Sequence, residues 1–249
     1  MLRGGTFKAI DVPSGVFTSV NGINAPGQIT GTYVDAGGRV HCFFSNDGSS
    51  FTTLTPPGSI RCQGGFINAL GEAVGTYRDA NNKRHGFTWR NGAFANLFIN
   101  VPGDDPVLGT VALGINDYGQ IVGDYVDAAR GNRHGFLLSH GVYTAFDVPG
   151  AVITVAEGIN DIGTIAGAYV DTGGVAHGFV LSEGVYTAID VPGAASTQIF
   201  SVNNRGEIVG FYDDSSGVTH GFLGTPVDAQ AEGAASATTV RHSPDRSGG

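Results

Sequence analysis

The side chains best suited to chemistry are a tyrosine, an aspartate and a histidine that recur together five times. In each copy the aspartate follows the tyrosine by two residues, and the histidine follows the aspartate by six or seven. A trio of this kind could bind sugar hydroxyls or a metal ion. A group repeated in every copy is more often what holds each copy together, and we interpret it as structural. The five sets are Tyr33/Asp35/His41, Tyr77/Asp79/His85, Tyr125/Asp127/His134, Tyr169/Asp171/His177 and Tyr212/Asp214/His220.

Neither a metal nor a cofactor is predicted. Each trio supplies only one imidazole and one carboxylate, and five separate sets do not converge on one ion. The adjacent carboxylates of Asp104 and Asp105 are too few to bind calcium by themselves. The sequence contains no glycine-rich phosphate loop, no Gly-x-Ser-x-Gly elbow and no Cys-x-x-Cys pair.

A ligand site is expected where the copies disagree, because one asymmetric ligand needs different groups from different copies. Disagreement is concentrated at alternate positions just before a turn that begins with asparagine. Residues two apart share a face of a strand, so these side chains could line one end of a central channel. They could equally be solvated channel residues with no ligand. The predicted ligand-binding residues are Asn21, Arg61, Gln63, Glu157 and Gln198.

The elements that position these residues follow from the repeat length. Five asparagines, Asn24, Asn68, Asn116, Asn160 and Asn203, are 44, 48, 44 and 43 residues apart. A period of 40 to 50 residues built from short alternating segments is typical of a propeller blade, a four-stranded antiparallel sheet. In the fourth copy, turn residues divide the chain into predicted strands over 154–160, 165–171, 177–181 and 185–191.

The two ends of the repeat region are out of phase. The sequence pattern of a fourth strand occurs first at residues 6–13, before any other strand of the pattern, and the last copy ends after its third strand. We therefore predict an all-β fold, a five-bladed β-propeller closed by the N-terminal strand. The propeller covers 1–226, with repeats of about 14–55, 56–100, 101–147, 148–190 and 191–226. Residues 227–249 are rich in small and charged residues and are predicted to be a flexible tail.

Composition excludes some classes of partner. The formal net charge of -9 and pI near 5.0 argue against nucleic acid binding, which needs a basic surface. No apolar run approaches the roughly 18 residues of a membrane span, and the first five residues lack the apolar core of a signal peptide. We expect a monomer. Cys42 and Cys62 lie in neighbouring copies and could form a disulfide or remain as buried thiols.

The segments GINDYGQIVGDYVDAARGNRHGFLL and GINDIGTIAGAYVDTGGVAHGFVL resemble the HAF repeat, named for a His-Ala-Phe triplet that reads His-Gly-Phe in this chain. The resemblance covers about nine tenths of the chain and departs from the pattern at His41-Cys42-Phe43. It implies a bacterial protein in a secreted or periplasmic location, and it leaves a cytoplasmic one open. It supplies no catalytic residues.

Three functions remain open from the sequence. The leading hypothesis is a non-enzymatic binding module for carbohydrate, similar to a lectin, with a glycan or other small molecule as its ligand. The alternative is a hydrolase or lyase with a single active site at the channel mouth, where Glu157 and Asp124 form the nearest pair of carboxylates. A structural or protein-interaction scaffold is the third.

Overall fold

The computed structural model describes residues 7–226, apart from the side chains of residues 96–99. The predicted strand residue Thr6 and the predicted tail over 227–249 lie outside this range. All regular elements within it are β-strands, and none of residues 7–226 belongs to a helix that could cross a membrane. The described chain forms two compact units, divided between Ala112 and Leu113.

The first unit contains the first two repeats. Each is a four-stranded antiparallel sheet whose strands pair in chain order, which confirms the predicted blade. The first sheet consists of β1 (Gly15–Ile23), β2 (Ile29–Asp35), β3 (Val40–Ser45) and β4 (Thr52–Leu54), and the second of β5 (Ser59–Ile67), β6 (Ala73–Asp79), β7 (Arg84–Arg90) and β8 (Ala93–Ile99).

The second unit contains the last three repeats, and its boundary falls within β9. The third and fourth repeats join through one parallel pairing of Arg133 with Ile153, and the fifth repeat has three strands within the described range. The strands are β9 (Thr110–Ile115), β10 (Ile121–Val126), β11 (Arg133–Ser139), β12 (Val142–Phe146), β13 (Ile153–Ile159), β14 (Ile165–Val170), β15 (Ala176–Ser182), β16 (Val185–Ile189), β17 (Ser196–Val202), β18 (Ile208–Asp213) and β19 (Thr219–Gly224).

The phenylalanine of each His-Gly-Phe-type triplet anchors the core of its repeat. Its side chain is inaccessible to solvent in the first four repeats and only 8% exposed in the fifth. Side chains alternate between the two faces of a strand, so the phenylalanine and the histidine two residues before it lie on the same face of the third strand. Burial of a ring of this size contributes a large share of each sheet's stability. The five are Phe43, Phe87, Phe136, Phe179 and Phe222.

In three repeats the asparagine that opens the turn also connects its repeat to the next one. Asn160 Oδ1 accepts the N–H of Thr164 at 2.8 Å, and its Nδ2 donates to the carbonyl of Asn203, one repeat later, at 2.9 Å. Asn116 donates in the same way to the carbonyl of Asn160, and Asn24 to that of Asn68. The sequence predicted only a turn residue here. The structure shows that one amide both closes its own turn and ties that turn to the next.

A valine and a threonine connect the start of each repeat to its first strand. In four repeats a buried valine N–H donates to a threonine hydroxyl at 3.0 to 3.1 Å. The second repeat has Pro56 and Cys62 at these two positions, and Cys62 forms a disulfide with Cys42, with a Cα–Cα distance of 5.3 Å. The four ordinary pairs are Val12 with Thr18, Val101 with Thr110, Val148 with Thr154 and Val191 with Thr197.

The N-terminal segment does not form the predicted closing strand within the described residues. Residues 7–12 have no strand pairing. Lys8 Nζ instead donates to the carbonyl of Asp47 and to Ser49, and Ile10 packs beside the core of the first repeat. The segment is thus held against the first repeat by the side chains of Lys8 and Ile10 and by the hydrogen bond of the Val12 N–H with Thr18.

The inserted loop of the third repeat is held by its two aspartates. Asp104 is almost buried, forms a 2.7 Å ion pair with Lys83 and accepts a hydrogen bond from Thr110. Asp105 accepts the N–H groups of Val107 and Leu108, and these bonds lower the pKa of its carboxyl group. Both carboxylates therefore serve the loop itself.

Candidate functional site

The Tyr-Asp-His trio is an internal support in every repeat. The histidine Nε2 lies 2.9 to 3.4 Å from an oxygen of the aspartate that begins the same hairpin. The tyrosine stacks or tilts on the imidazole, with ring centroids 4.8 to 5.3 Å apart. The aspartate also caps the hairpin turn: in the fourth repeat, Asp171 accepts the N–H of Val175. These contacts agree with the structural interpretation of the trio.

The other imidazole nitrogen contacts the residue that precedes the next repeat's Val-Pro pair. His134 Nδ1 lies 2.8 Å from Asp147, and His177 Nδ1 lies 2.9 Å from Asp190. The hydrogen bond with Asp190 is the main reason that the pKa of His177 is raised. Burial alone would lower the pKa of His134, but its two aspartates outweigh burial and raise it. In the second repeat, His85 Nδ1 meets the amide oxygen of Asn100 at 3.0 Å.

Two of the predicted ligand-binding residues, Asn21 and Glu157, lie at an irregularity of the first strands, whereas Arg61, Gln63 and Gln198 are paired in regular register. In β1, β13 and β17 the register skips one residue just before the turn, and in β5 it skips two. A β-bulge of this kind leaves its extra residue unpaired and turns its side chain away from the regular pattern. The skipped residues are Asn21 in β1, 65 and 66 in β5, Glu157 in β13 and Phe200 in β17.

Glycine permits these bulges to lie side by side in the second unit. A Cβ on Gly158 would lie 3.0 Å from the carbonyl oxygen of Phe200, and one on Gly114 would lie 2.8 Å from that of Glu157. Only glycine allows backbones to approach so closely. The bulges of β13 and β17 are therefore neighbours, with the backbone of Glu157 and Gly158 beside that of Phe200, and Gly114 of β9 lies against β13 in the same way.

Glu157 belongs to a charged cluster that the structure assembles from two repeats. Asp124 in β10 is fully buried, and Arg133 in β11 donates two hydrogen bonds to its carboxylate, at 2.5 and 2.9 Å. Glu157 in β13 interacts electrostatically with both. Other repeats have threonine, alanine or phenylalanine at the position of Asp124, so blade packing does not require this charge.

The carboxyl group of Glu157 is tuned by its surroundings. Burial raises its pKa to about 7, the repulsion from Asp124 adds to this effect, and the attraction of Arg133 opposes it. Near neutral pH, Glu157 thus exchanges a proton while Asp124 is engaged with Arg133. A carboxyl group in this state can donate or accept a hydrogen bond toward a ligand.

An aromatic pair lies on the next repeat. Phe200 and Phe211 are the variable residues of β17 and β18, and their ring centroids are 5.3 Å apart. Phe200 is 40% exposed, whereas the triplet phenylalanines are buried. Gln198, a predicted ligand residue, pairs directly opposite Phe211 in the β-ladder and is half-buried.

The predicted residues of the first unit form no such cluster with each other. Asn21 is exposed, and its side-chain oxygen lies 3.4 Å from the hydroxyl of Thr32. Gln63 is exposed opposite Thr76. Arg61 lines a cleft between the first two repeats. Asn21, Arg61 and Gln63 belong to the first unit and Glu157 and Gln198 to the second, so a site shared by all five remains a prediction.

No protein-family model matches the chain, and no curated protein is similar to it in sequence. Its fold is similar to that of several solved structures. A structure from work on two prolyl endopeptidases has a TM-score of 0.58 at 9% identity, covering 88% of this chain and 35% of that one. A protein assigned as TolB from Agrobacterium tumefaciens has a TM-score of 0.55 at 10% identity, covering 80% and 77%.

The fucose-recognising lectin of Aleuria aurantia, a six-bladed β-propeller, has a TM-score of 0.49 at 12% identity, covering 87% of this chain and 81% of its own. At such identities the similarities concern the fold. The two structures with TM-scores of 0.55 and 0.58 agree with the all-β fold of this chain, and the ligand must be argued from this chain's own residues.

Arg133, Phe200 and Phe211 were not among the ligand-binding residues predicted from the sequence. Arg133 stands beside the trio histidine, in a segment whose pattern is that of a regular third strand. Phe211 lies in the second strand, where only the trio tyrosine and aspartate were recognised as recurring residues. Comparing the residue between the repeated glycine and tyrosine would have singled out Asp124 and Phe211, because that position alone changes from threonine to aspartate, alanine and phenylalanine.

Proposed function

We propose that this protein is a non-enzymatic carbohydrate-binding module, and that its ligand contacts Arg133, Glu157 and Phe200, while the buried carboxylate of Asp124 holds Arg133 in position. The observation that carries the proposal is this charged cluster, which stands at positions where the fold itself needs no charge. Unpaired charge is costly to bury, so a half-buried acid without a protein hydrogen bond is kept for a purpose other than stability.

The side chains of Arg133, Glu157 and Phe200 have the chemistry that a sugar site needs. Carboxylates accept hydrogen bonds from hydroxyl groups, and the guanidinium of Arg133 can donate one from the side that does not face Asp124. The exposed ring of Phe200 offers an apolar face against which the C–H groups of a pyranose can pack. Sugar sites combine a few convergent polar groups with such an apolar surface.

The repeated trio is not proposed as a set of sugar sites. In the third and fourth repeats both imidazole nitrogens already contact carboxylates of the protein. A sugar hydroxyl would have to displace one of these ionic partners. One asymmetric site is therefore favoured over five equivalent ones.

The finer architecture is part of the same proposal. We propose that the sheets are blades of a five-bladed propeller of the HAF-repeat type, in a monomeric and exported bacterial protein. The repeat spacing and the antiparallel sheets support the propeller, and the resemblance of the repeats supports export. Small-angle scattering tests it, because a closed monomer of this size has a radius of gyration of about 17 Å.

The decisive experiment is a glycan array followed by calorimetry on the best ligand. One sugar per chain is expected, and Glu157→Gln combined with Phe200→Ala should weaken binding at least tenfold without loss of fold. His177→Ala is the matched control and should leave affinity unchanged. A stoichiometry near five would instead assign the trios as lectin pockets. No glycan ligand at all would favour a scaffold.

A hydrolase or lyase is the second candidate, favoured by the pKa of Glu157. A carboxyl group that titrates near 7 beside an ion-paired carboxylate is suited to general acid–base catalysis. Product analysis on the bound glycan separates the two functions. An enzyme would release new reducing or unsaturated ends, and Glu157→Gln would abolish turnover while binding persisted. A binding module leaves the glycan intact.

A further inference from the structure

A cleft of about 340 Å³ lies in the first unit, between the first and second repeats. Its walls come from the hairpin between β2 and β3, the end of β4 and the start of β5. Polar and charged groups on these walls include Arg39, His41, Thr55, Ser59 and Arg61. It is separate from the cluster around Glu157, so the proposed function neither requires nor explains it.

His41 is the histidine of its trio, but it has only one of the two partners found elsewhere. Its Nε2 lies 2.9 Å from Asp35, like the corresponding nitrogen in the other repeats. The position that supplies the second acid, Asp147 or Asp190 in later repeats, is occupied by Thr55. Within residues 7–226 no group contacts His41 Nδ1, and the ring is 27% exposed.

Two arginines surround this incomplete histidine. Arg39 and Arg61 are exposed on the cleft walls, and neither guanidinium has a hydrogen bond or ion pair with any described residue. The other repeats have no second cation at the position of Arg61; they carry phenylalanine, glycine, isoleucine and serine there. In a chain of net charge -9, two unpaired arginines in one cleft form a local cationic site.

The junction between the second and third repeats offers a comparison, because there the protein itself supplies an anion to the cation on the hairpin. Lys83 occupies the place of Arg39 in the second repeat, and the inserted loop of the third repeat provides Asp104, whose carboxylate is nearly buried and 2.7 Å from Lys83. After the second repeat, Asp104 thus pairs with the cation, while the histidine Nδ1 meets Asn100. After the third and fourth repeats, Asp147 and Asp190 contact the histidine Nδ1 directly.

We propose that the cleft between the first and second repeats binds the carboxylate of an acidic ligand, an organic acid or an acidic sugar. The ligand carboxylate takes the place that Asp147 and Asp190 have after the third and fourth repeats. It accepts hydrogen bonds from Arg39 and Arg61 and lies against His41 Nδ1. Planar carboxylates match the paired N–H groups of a guanidinium, which makes arginine well suited to this role.

The test is an NMR titration of the histidine ring signals with D-galacturonate, with D-galactose as the neutral match and acetate as the minimal acid. Galacturonate should shift the His41 signals and leave His177 unchanged, while galactose at the same concentration should shift neither. Binding of acetate as well would assign recognition to the carboxylate alone. Preference for galacturonate would add the sugar ring. No shift of His41 with either acid, or an equal shift with galactose, overturns the proposal.

Two variants test the mechanism. Thr55→Asp should fill the site from within, as Asp147 and Asp190 do, and should weaken acid binding at least tenfold. Thr187→Asp, at an exposed position on β16, adds the same charge elsewhere and should have no effect. Arg61→Gln should weaken binding at least fivefold. If Thr55→Asp binds galacturonate as the unchanged protein does, the site is not where we place it.

Discussion

Pro56 and Cys62 occupy the two positions that a valine N–H and a threonine hydroxyl join in the other four repeats. Proline has no N–H, so a threonine hydroxyl at position 62 would lack its donor in this buried place. Cysteine needs no such partner, and it bonds Cys42 instead. The two departures from the repeat are thus one change: a lost hydrogen bond replaced by a covalent link between neighbouring repeats.

This relationship predicts coupling between the two positions. Converting Cys42 to alanine and Cys62 to threonine removes the disulfide and should lower the free energy of unfolding by about 2–4 kcal/mol. Adding Pro56→Val to that variant restores the N–H donor and should recover about 1 kcal/mol. The same valine beside the intact disulfide should recover nothing. Urea denaturation of all four proteins measures this, and equal effects of the valine in both backgrounds would show that the positions are independent.

The side-chain amide of Asn160 should contribute more to the free energy of unfolding than the side chain of a residue that only closes a turn. Asn160→Ala removes the bond to Thr164 and the bond to the Asn203 carbonyl, both in a buried place, and should lower the free energy of unfolding by about 2–4 kcal/mol. Asn203→Ala is the control, because the Asn203 amide donates to Glu207 within its own turn. A similar loss in both variants would mean that the inter-repeat bond contributes little.

The contact between His177 and Asp190 should make stability depend on pH. The pKa of His177 is raised in the folded state above its ordinary value of 6.5. Stability from this contact is therefore complete below pH 6.5 and is lost as the pH rises through the folded-state pKa. NMR titration should show the His177 pKa falling in Asp190→Asn, while His134 in the same sample stays constant. An unchanged His177 pKa would contradict the role of Asp190.

Glu157 should also make the folded protein less stable as the pH rises, although it is an acid and His177 is a base, because the pKa of each is raised in the folded state. Its folded pKa of about 7 lies above the ordinary 4.5, so the folded state holds the proton more tightly. Stability should fall as the pH rises from about 4.5 to 7, by about 1–3 kcal/mol. Glu157→Gln should flatten this part of the curve and be more stable than the parent at pH 8. A variant with the parent's pH profile would show that Glu157 is solvated.

The antiparallel sheets could be predicted because the same pattern of strands and turns recurs five times in the sequence. In the fourth repeat, the predicted strands match Ile153–Ile159, Ile165–Val170, Ala176–Ser182 and Val185–Ile189 to within two residues at each end. Gly163, in the turn after the first of these strands, has a φ of 83°, the left-handed conformation that glycine readily adopts. The turn chemistry of asparagine, aspartate and glycine fixes such boundaries locally.

The contacts between repeats were not predictable in the same way. The pairing of Asp124 with Arg133 depends on which side chains a twisted sheet brings together, and the approach of Glu157 to both depends on the bulge in β13. The disulfide was left open because a spacing of 20 residues does not determine whether two sulfurs meet. Residues 7–12 have the sequence pattern of a fourth strand, but they form no strand pairing. Their position depends on contacts such as those of Lys8 and Ile10 with the first repeat, which the pattern does not reveal.

The amide of Asn160 reaches a carbonyl one period ahead, and those of Asn24 and Asn116 do the same over 44 residues. The first, third and fourth repeats therefore carry on their own first turn the donor that the backbone of the next repeat accepts. A duplicated gene segment of one period would encode a copy that finds a matching acceptor ahead of it and a matching donor behind it. Such chains can change their number of repeats by tandem duplication without any adjustment at the joint.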